Sequence, residues 1–446
     1  MFYGARTQKH IIVVETMKII IHRGAGEPGG NCIELVAGKG RLLLDYGAPQ
    51  PFDPAKPERA EAAEEAILDI PGLYGKASPP LIALLISNTH LDHYGALLAR
   101  GINPAVKIYM SELMKELARL PGKMSGKGRQ LPAGIQHYSR GRKFTVGPFA
   151  ITPYLMDSNA AEAYAFLVEA EGKKVLYTGD YREHGNKAFK QFLAANTGPL
   201  DALITEGAQA GLEKGPDEQE VLDHVEQLVK GRRGALYFLC AGQDVGLLNG
   251  LANLAKKTKR FLVVDGYLAL VLERMKEQAL KQGVELKLPG LETEYLRIIR
   301  NAATQRIYTL SEYKELFVRM RKKMFGWDWV RANLPKLIIP VRANSQLWAE
   351  EEVRDFSHAS LFYSGWESYS EEPGMSEALA WFKARGLAAT EIPTTGHAYF
   401  STIKKLVKNK KPRYIIPINT GHPEKFSDTF GKRAKVLANG EEFTLE

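Results

Sequence analysis

The chain has 446 residues, of which 45% are hydrophobic and 25% charged, with a formal net charge of +9 at pH 7. That length is more than one ordinary domain needs, so two lobes are expected, and the balance of residues excludes a disordered or collagen-like chain. No run of about 18 apolar residues occurs, which excludes a hydrophobic membrane-spanning helix.

Positive charge gathers in "KKTKR", "RMRKKM" and "KKLVKNKKPR". Such clusters are compatible with a polyanionic partner, while each alone also reads as a solvated helix face. The only two cysteines, Cys32 and Cys240, stand far apart. Their spacing argues against a disulfide scaffold and a thiolate metal site, and a reducing, cytoplasmic setting fits best.

The first residues, "MFYGARTQKHIIVVETMKIII", are mildly basic with an apolar stretch broken by Glu15, so they read as an extension ahead of a fold that starts near Met17. Short strands follow at "IIIH", "CIELVA" and "RLLLDYG", with "GKG" as a hairpin connection. A helix is predicted at "PERAEAAEEAILDI", then a buried strand "PLIALLIS" and a helix from about Tyr94. The strand "KIYM" leads into the helix "SELMKELARL", for which Ser111 is a suitable cap. "FAITPYLM" and "AYAFLVEAEGKKVLYTGD" add strands, the last closing on Asp180. Strands in antiparallel-looking pairs predict an α/β fold with sheets packed face to face and helices outside.

From about Pro216 strand and helix alternate through "EVLDHVEQLVKG", "ALYFLCAG", "GLLNGLANLAKKT", "RFLVVDG" and "YLALVLERMKEQALKQG", the pattern of a parallel unit. "MRKKMFGWDWVRANLP" is a less regular excursion before the strands "KLIIPVR" and "HASLFYSGW". The parallel unit is expected to be an insertion over 208–372, interrupting a first lobe built from 17–207 and from 373–446, which resumes near "MSEALAWFKARG".

Three elements carry chemistry. In "SNTHLDHYG", His90, Asp92 and His93 follow a buried strand, so their side chains can converge above its end. Imidazole nitrogen and carboxylate oxygen are the ligands of hydrolytic zinc or manganese. Taken alone the turn could also be a helix cap, with Asp92 serving the helix amides. In "LYTGDYREHG" Asp180 ends an apolar strand, where a turn residue is the simpler reading. In "TTGHAYFSTIKKLV" His397 opens a helix, and Thr394 and Thr395 add donors that suit phosphate oxygens, although a capping turn explains them as well.

Together, "GGNCIEL" with "LLLDYG", "SNTHLDHYG", "LYTGD" and "GHA" with "KPRYIIPINTGHPEKF" resemble, in this order, the metallo-β-lactamase superfamily, and within it the β-CASP nucleic-acid hydrolases of the ribonuclease J kind. The resemblance spans nearly the whole chain and implies an αββα sandwich with an inserted β-CASP lobe and nucleic acid in the cleft between lobes. It implies two metals hydrolysing a phosphodiester, with His90 on the first, Asp92 and His93 on the second, and Asp180 on both. Catalytic roles then fall to Asp92, to Glu206 of "LITEGA" as the carboxylate that orients a neighbouring ligand, and to His397 in proton transfer. Ser364 of "YSGW" joins Thr394 and Thr395 as candidate phosphate contacts, and relatives of this kind often pair as homodimers.

Three positions depart from the pattern. Asn88 stands in place of the first histidine of HxHxDH, Ser158 in place of the histidine of "DHS" with Asp157 beside it, and Asn419 in place of the histidine of "PIHT". Amide and hydroxyl oxygens are poor zinc donors beside imidazole, so zinc or manganese is expected at reduced occupancy, between none and two ions. One ion at the second position, helped by water or the Asn419 oxygen, fits the remaining ligands, and His184 or His422 could substitute for a lost one. The expected function is a weakened metal-dependent hydrolase of RNA, or of single-stranded nucleic acid. The alternatives are an inactive relative that binds nucleic acid or a protein, and a small ester or thioester hydrolase.

Overall fold

The computed structural model describes residues 16–49, 65–125, 130–185, 188–281, 288–342, 356, 358–365, 370, 373–393 and 396–446. Most of the helix expected at "PERAEAAEEAILDI" falls outside them, as do Thr394 and Thr395.

Three sheets organise the described residues. In β1 (Met17–Arg23), Met17, Ile19 and Ile21 point inward and alternate with partly exposed neighbours, as a strand with one buried face requires. It pairs antiparallel with β2 (Cys32–Ala37), which turns through Gly38 and Lys39 into β3 (Gly40–Leu44). Gly38 has φ +50°, which the tight hairpin needs and a side chain would resist. β4 (Leu81–Leu85), β5 (Lys107–Met110) and β6 (Gln136–His137) continue the sheet in parallel.

The second sheet is a meander of β7 (Phe144–Val146), β8 (Phe149–Met156), β9 (Ala163–Ala170) and β10 (Lys173–Tyr177). The strand β11 (Ala202–Glu206) then adds in parallel. Leu35, Leu42 and Leu84 of the first sheet share one core with Phe166, Tyr177 and Ile204 of the second. Helices cover the far face of the second sheet through Phe189, Phe192, Ile403, Leu406 and Phe426. The lobe is thus the expected αββα sandwich.

A third, wholly parallel sheet follows: β12 (Leu236–Cys240), β13 (Phe261–Val264), β14 (Leu296–Ile299), β15 (Met324–Phe325), β16 (Leu337–Val341), β17 (Ser360–Ser364) and β18 (Ala389–Ile392). Its spatial order is β15-β14-β13-β16-β12-β17-β18, with a hydrophobic core on each face. The helix Pro373–Lys383 packs Met375, Ala378 and Phe382 into one of these cores, and β18 is the outermost strand. The return to the sandwich expected at residue 373 therefore comes after Ile392, because "MSEALAWFKARG" is the last crossover helix of the parallel sheet. The chain then adds β19 (Tyr414–Ile418) beside β11 and β20 (Glu442–Leu445) beside β1.

One helix joins the two cores. Glu112–Ser125 directs Met114 and Ala118 into the sandwich and Leu113, Leu117 and Leu120 into the parallel lobe, and the Ser111 hydroxyl caps it by accepting from the Met114 amide at 3.0 Å.

Several clustered cations serve the fold. Lys410 of "KKLVKNKKPR" is buried and donates to the carbonyls of Phe192, Leu193 and Ala195, the open C-terminal end of the helix Ala188–Ala194. Lys404 and Lys405 pair with Glu213 and Glu183, and Lys257 of "KKTKR" pairs with Glu226 at 2.6 Å.

Inside the first sheet Glu34 is fully buried and accepts from His22 at 2.7 Å and from Arg41 at 2.8 Å. Burial pushes its carboxyl up, but the bonds from His22 and Arg41 outweigh burial and hold it below the ordinary carboxylate value. A value lower folded than unfolded contributes stability above the unfolded value, and the contribution is lost as pH falls through the folded one. Arg41→Ala removes the permanently charged partner and is expected to cost about 3–5 kcal/mol. It should also move the acid-unfolding midpoint to higher pH, and a midpoint equal to wild type in acid titrations would refute this account of Glu34.

Candidate metal centre

β4 ends at Leu85, and the next residues carry the site: Ser87, Asn88, His90, Asp92 and His93, the last two in the short helix Leu91–Tyr94. Asp180 closes the turn after β10, and Glu206 ends β11. His397 precedes the helix Phe400–Lys410, and Asn419 follows β19 at φ +50°, a left-handed conformation that asparagine tolerates. Parallel β10, β11 and β19 bring Asp180, Glu206 and Asn419 to one sheet edge.

Ligand atoms of Asp92, His93 and Asp180 lie within 4.8 Å of one another. His93 Nε2 is 2.9 Å from Asp180 Oδ2 and 3.7 Å from Asp92 Oδ2. Its Nδ1 lies 2.7 Å from Asp45 Oδ2. Asp45 is fully buried and also accepts from the Ser87 amide and hydroxyl, both at 2.6 Å, and from the Tyr177 hydroxyl. A carboxylate behind the far nitrogen fixes the tautomer that turns a lone pair toward a metal. Burial disfavours a charged His93, yet Asp180, Asp45 and Asp92 outweigh burial and raise the ring well above its ordinary value. The ring sits in negative charge that a proton or a cation at Nε2 would neutralise.

His90 Nε2 is buried and accepts or donates no hydrogen bond among the described residues, and burial holds the imidazole below its ordinary value, in the neutral form a metal needs. For Asp180 burial pushes the carboxyl up, but His93 and His397 outweigh it and hold the group well below the carboxylate range. Glu206 accepts from the amides of Tyr181, Ala398 and Ala208 at 3.0–3.2 Å, fixing the residues next to Asp180 and His397. His397 Nδ1 lies 3.3 Å from Glu206 Oε2 and 3.9 Å from Asp180 Oδ1. Burial lowers His397, but Glu206 and Asp180 outweigh it and raise the ring to about 9.

The three departures all sit in or beside this centre. Asn88 Nδ2 donates to Asp180 Oδ2 at 3.0 Å and Asn419 Nδ2 to Asp180 Oδ1 at 3.2 Å. The Asn419 oxygen accepts from the Gly29 amide at 2.6 Å, so it faces away from Asp180 and does not assist an ion there as expected. Ser158 takes part in a local turn, accepting from the Ala160 amide at 3.3 Å, and Asp157 pairs with the buried Arg182 at 3.2 Å. His184 stacks on Tyr399 with centroids 4.9 Å apart, and His422 lies 3.2 Å from Glu424, so both rings are turned to other partners. A cavity of about 520 Å³, lined by Ser158, Arg182, His184, Glu218 and Asn249, lies between sandwich and parallel lobe; Asp92, His93 and Asp180 do not line it.

The third sheet presents its carboxyl edge to the same place. Thr89 bonds Gln243 just after β12, and Gln243 reaches the Tyr267 hydroxyl at 3.5 Å, against which Arg342 stacks 4.2 Å from the ring centre. Ser364 ends β17 on that edge, in register with Cys240.

The donor set fits one ion. Imidazole and carboxylate hold zinc at about 2.0–2.2 Å, a spacing the Asp92, His93 and Asp180 atoms reach with small adjustments, and the unpaired His90 nitrogen is close by. Among the described residues no second group of three such ligands gathers, and positions 88, 419 and 158 present amide N–H groups and a hydroxyl.

A family model described as "Beta-lactamase superfamily domain" matches residues 55–225. Ribonuclease J of Sinorhizobium meliloti is 24% identical over 235 residues, which is 48% of this chain and 39% of that relative. The likeness to the beta-lactamase superfamily domain is that of residues 55–225, and the chain spans about two fifths of the length of the curated ribonuclease J it matches. A solved protein of unknown function from Enterococcus faecalis V583 shares the fold at a TM-score of 0.71, with 18% identity and coverage of 96% of this chain and 100% of that one. The metallo-β-lactamase-fold protein YhfI from Bacillus subtilis is also 18% identical, covering 47% of this chain and 80% of its own at a TM-score of 0.31.

Asp45 is a residue of this candidate centre to which the sequence alone gives no role. Its signal was a carboxylate ending the apolar strand "RLLLDYG"; its partners Ser87, His93 and Tyr177 are 42 to 132 positions away.

Proposed function

We propose that the chain is a ribonuclease J-like phosphodiester hydrolase that acts on RNA with one zinc or manganese ion held by Asp92, His93 and Asp180. The convergence of these three ligand atoms within 4.8 Å, backed by Asp45, is the observation that carries the reading. When bound, such an ion polarises a phosphate oxygen and supplies hydroxide at neutral pH. Asp45 keeps the His93 lone pair aimed at the ion, and Glu206 holds Asp180 and His397 at a fixed separation. His397, favoured in its charged form, is placed to give a proton to the departing oxygen.

The inserted parallel sheet is the β-CASP-like lobe in this reading. RNA would lie between it and the sandwich, along the carboxyl edge where Thr89, Gln243, Tyr267 and Arg342 meet, with Ser364 as a phosphate contact. Crevices at the carboxyl ends of parallel strands are where α/β sheets bind ligands. A cytoplasmic setting belongs to the same reading, with both cysteines buried and free and no helix among the described residues long and apolar enough to cross a membrane.

A non-cutting RNA binder is the second reading, favoured by the carboxamides that already satisfy both oxygens of Asp180. End-labelled single-stranded RNA incubated with the zinc- or manganese-loaded protein separates the two. Cleavage that chelator stops and His93→Ala abolishes is expected. Binding without cleavage under every metal condition would leave only the second reading.

A further inference from the structure

In a dinuclear centre a shared carboxylate can turn one oxygen to each cation. Here Asp180 is that carboxylate, and both of its oxygens meet side-chain N–H groups from two of the three departing positions. Asn419 donates to Oδ1 at 3.2 Å and Asn88 to Oδ2 at 3.0 Å. Which end of a carboxamide points where is usually ambiguous, because oxygen and nitrogen have similar size. In this site the backbone decides it. The Gly29 amide lies 2.6 Å from the Asn419 oxygen, and the His90 amide lies 2.6 Å from the Asn88 oxygen. A backbone N–H can only donate, so each oxygen must face the backbone and each nitrogen must face Asp180.

The consequence for a cation is specific. An imidazole at position 88 or 419 would offer a lone pair. The carboxamide nitrogens offer hydrogens and have no lone pair to give, so an ion at the first position would meet the positive ends of two fixed N–H dipoles. Turning either amide around would set its NH2 against a backbone N–H and leave Asp180 without its donor. Ser158 adds no compensating ligand, since its hydroxyl accepts from the Ala160 amide at 3.3 Å, and the neighbouring Asp157 is engaged by Arg182.

We infer that Asn88 and Asn419 are positioning residues that take the place of the first metal ion, holding Asp180 by two N–H donors and closing that position to a cation while the second stays open. The buried charge of Asp180, which a metal would neutralise in part, is met by hydrogen bonds that need no metal. This inference rests on the single-ion reading for the second position only, and concerns a different set of side chains.

Equilibrium dialysis of the full chain against zinc, followed by elemental analysis, tests it. Wild type is expected to hold no more than one equivalent, and N88H/S158H/N419H to hold one more than wild type. Two equivalents in wild type, or no gain in a folded triple variant, would overturn the inference. No zinc in wild type with a gain in the variant would end the single-ion reading and leave the inference standing. Because the triple variant can fail to fold, Asn419→Asp supplies a second readout. It keeps the bond to Gly29 but turns a carboxylate oxygen toward Asp180. Its melting temperature in chelator should fall below wild type, and zinc should raise it by more than the single ion at the second position raises wild type. An unchanged melting temperature in chelator, or a loss that zinc does not restore, would reduce Asn419 to an ordinary structural residue and refute the proposal.

Discussion

Asp45→Ala is expected to produce the largest loss of stability of any single change at the centre. The carboxylate is fully buried and accepts from the Ser87 amide, the Ser87 hydroxyl, His93 Nδ1 and the Tyr177 hydroxyl. Water cannot replace it without entering the core between the two sheets, so the donors would be left unsatisfied. Each buried orphan costs about 1–3 kcal/mol, and breaking a buried charged pair costs about 3–5 kcal/mol. These costs overlap, so the expected loss is at least the latter figure, read as a lower denaturation midpoint. The same change frees His93 to rotate or change tautomer, which should weaken zinc binding by about 10–100-fold. Asp45→Asn keeps the volume and should retain more stability than Asp45→Ala while still weakening zinc. Wild-type midpoints and zinc affinity in Asp45→Ala would show that Asp45 neither supports the core nor orients His93.

If the proposed function holds, Asp180→Ala should have the largest effect on RNA cleavage. Asp180 is the one carboxylate that His93, Asn88 and Asn419 all touch, and His397 lies 3.9 Å from it. Its loss removes a ligand and the group that fixes four neighbours, so the fall in cleavage rate should exceed the about 10–100-fold typical of an outer-sphere partner. Single-turnover cleavage of labelled RNA at saturating enzyme measures this without confusing it with weaker substrate binding. A rate within a few-fold of wild type would place the chemistry elsewhere.

Sequence alone reveals much of this architecture, and for a reason. Apart from the buried Glu34–Arg41 pair, the strands "CIELVA", "RLLL" and "LIALL" are apolar because both faces of the first sheet are covered, while "MKIIIHR" alternates because one of its faces is only partly buried. The candidate ligand turn stands out in the sequence because two histidines and an aspartate follow a buried strand. What pattern could not supply was partnership across long separations. "MSEALAWFKARG" is an amphipathic helix in either lobe, and only the pairing of Ala389–Ile392 with Ser360–Ser364 assigns it to the parallel sheet. Likewise "KKLVKNKKPR" reads as a uniform basic surface, yet Lys410 within it is buried against the end of another helix.

The asparagines mark the same boundary. Their presence at ligand positions was visible in sequence and implied weakened metal binding. That their oxygens face the backbone and their nitrogens face Asp180 is a property of the folded loops around Gly29 and His90.

Anomalous diffraction from crystals grown with zinc, and again with manganese, tests the central claim most directly. The account predicts one peak, within bonding distance of Asp92, His93 Nε2 and Asp180, with Asn88 and Asn419 still directed at the Asp180 carboxylate. Two peaks bridged by Asp180, or none at either metal, would contradict it.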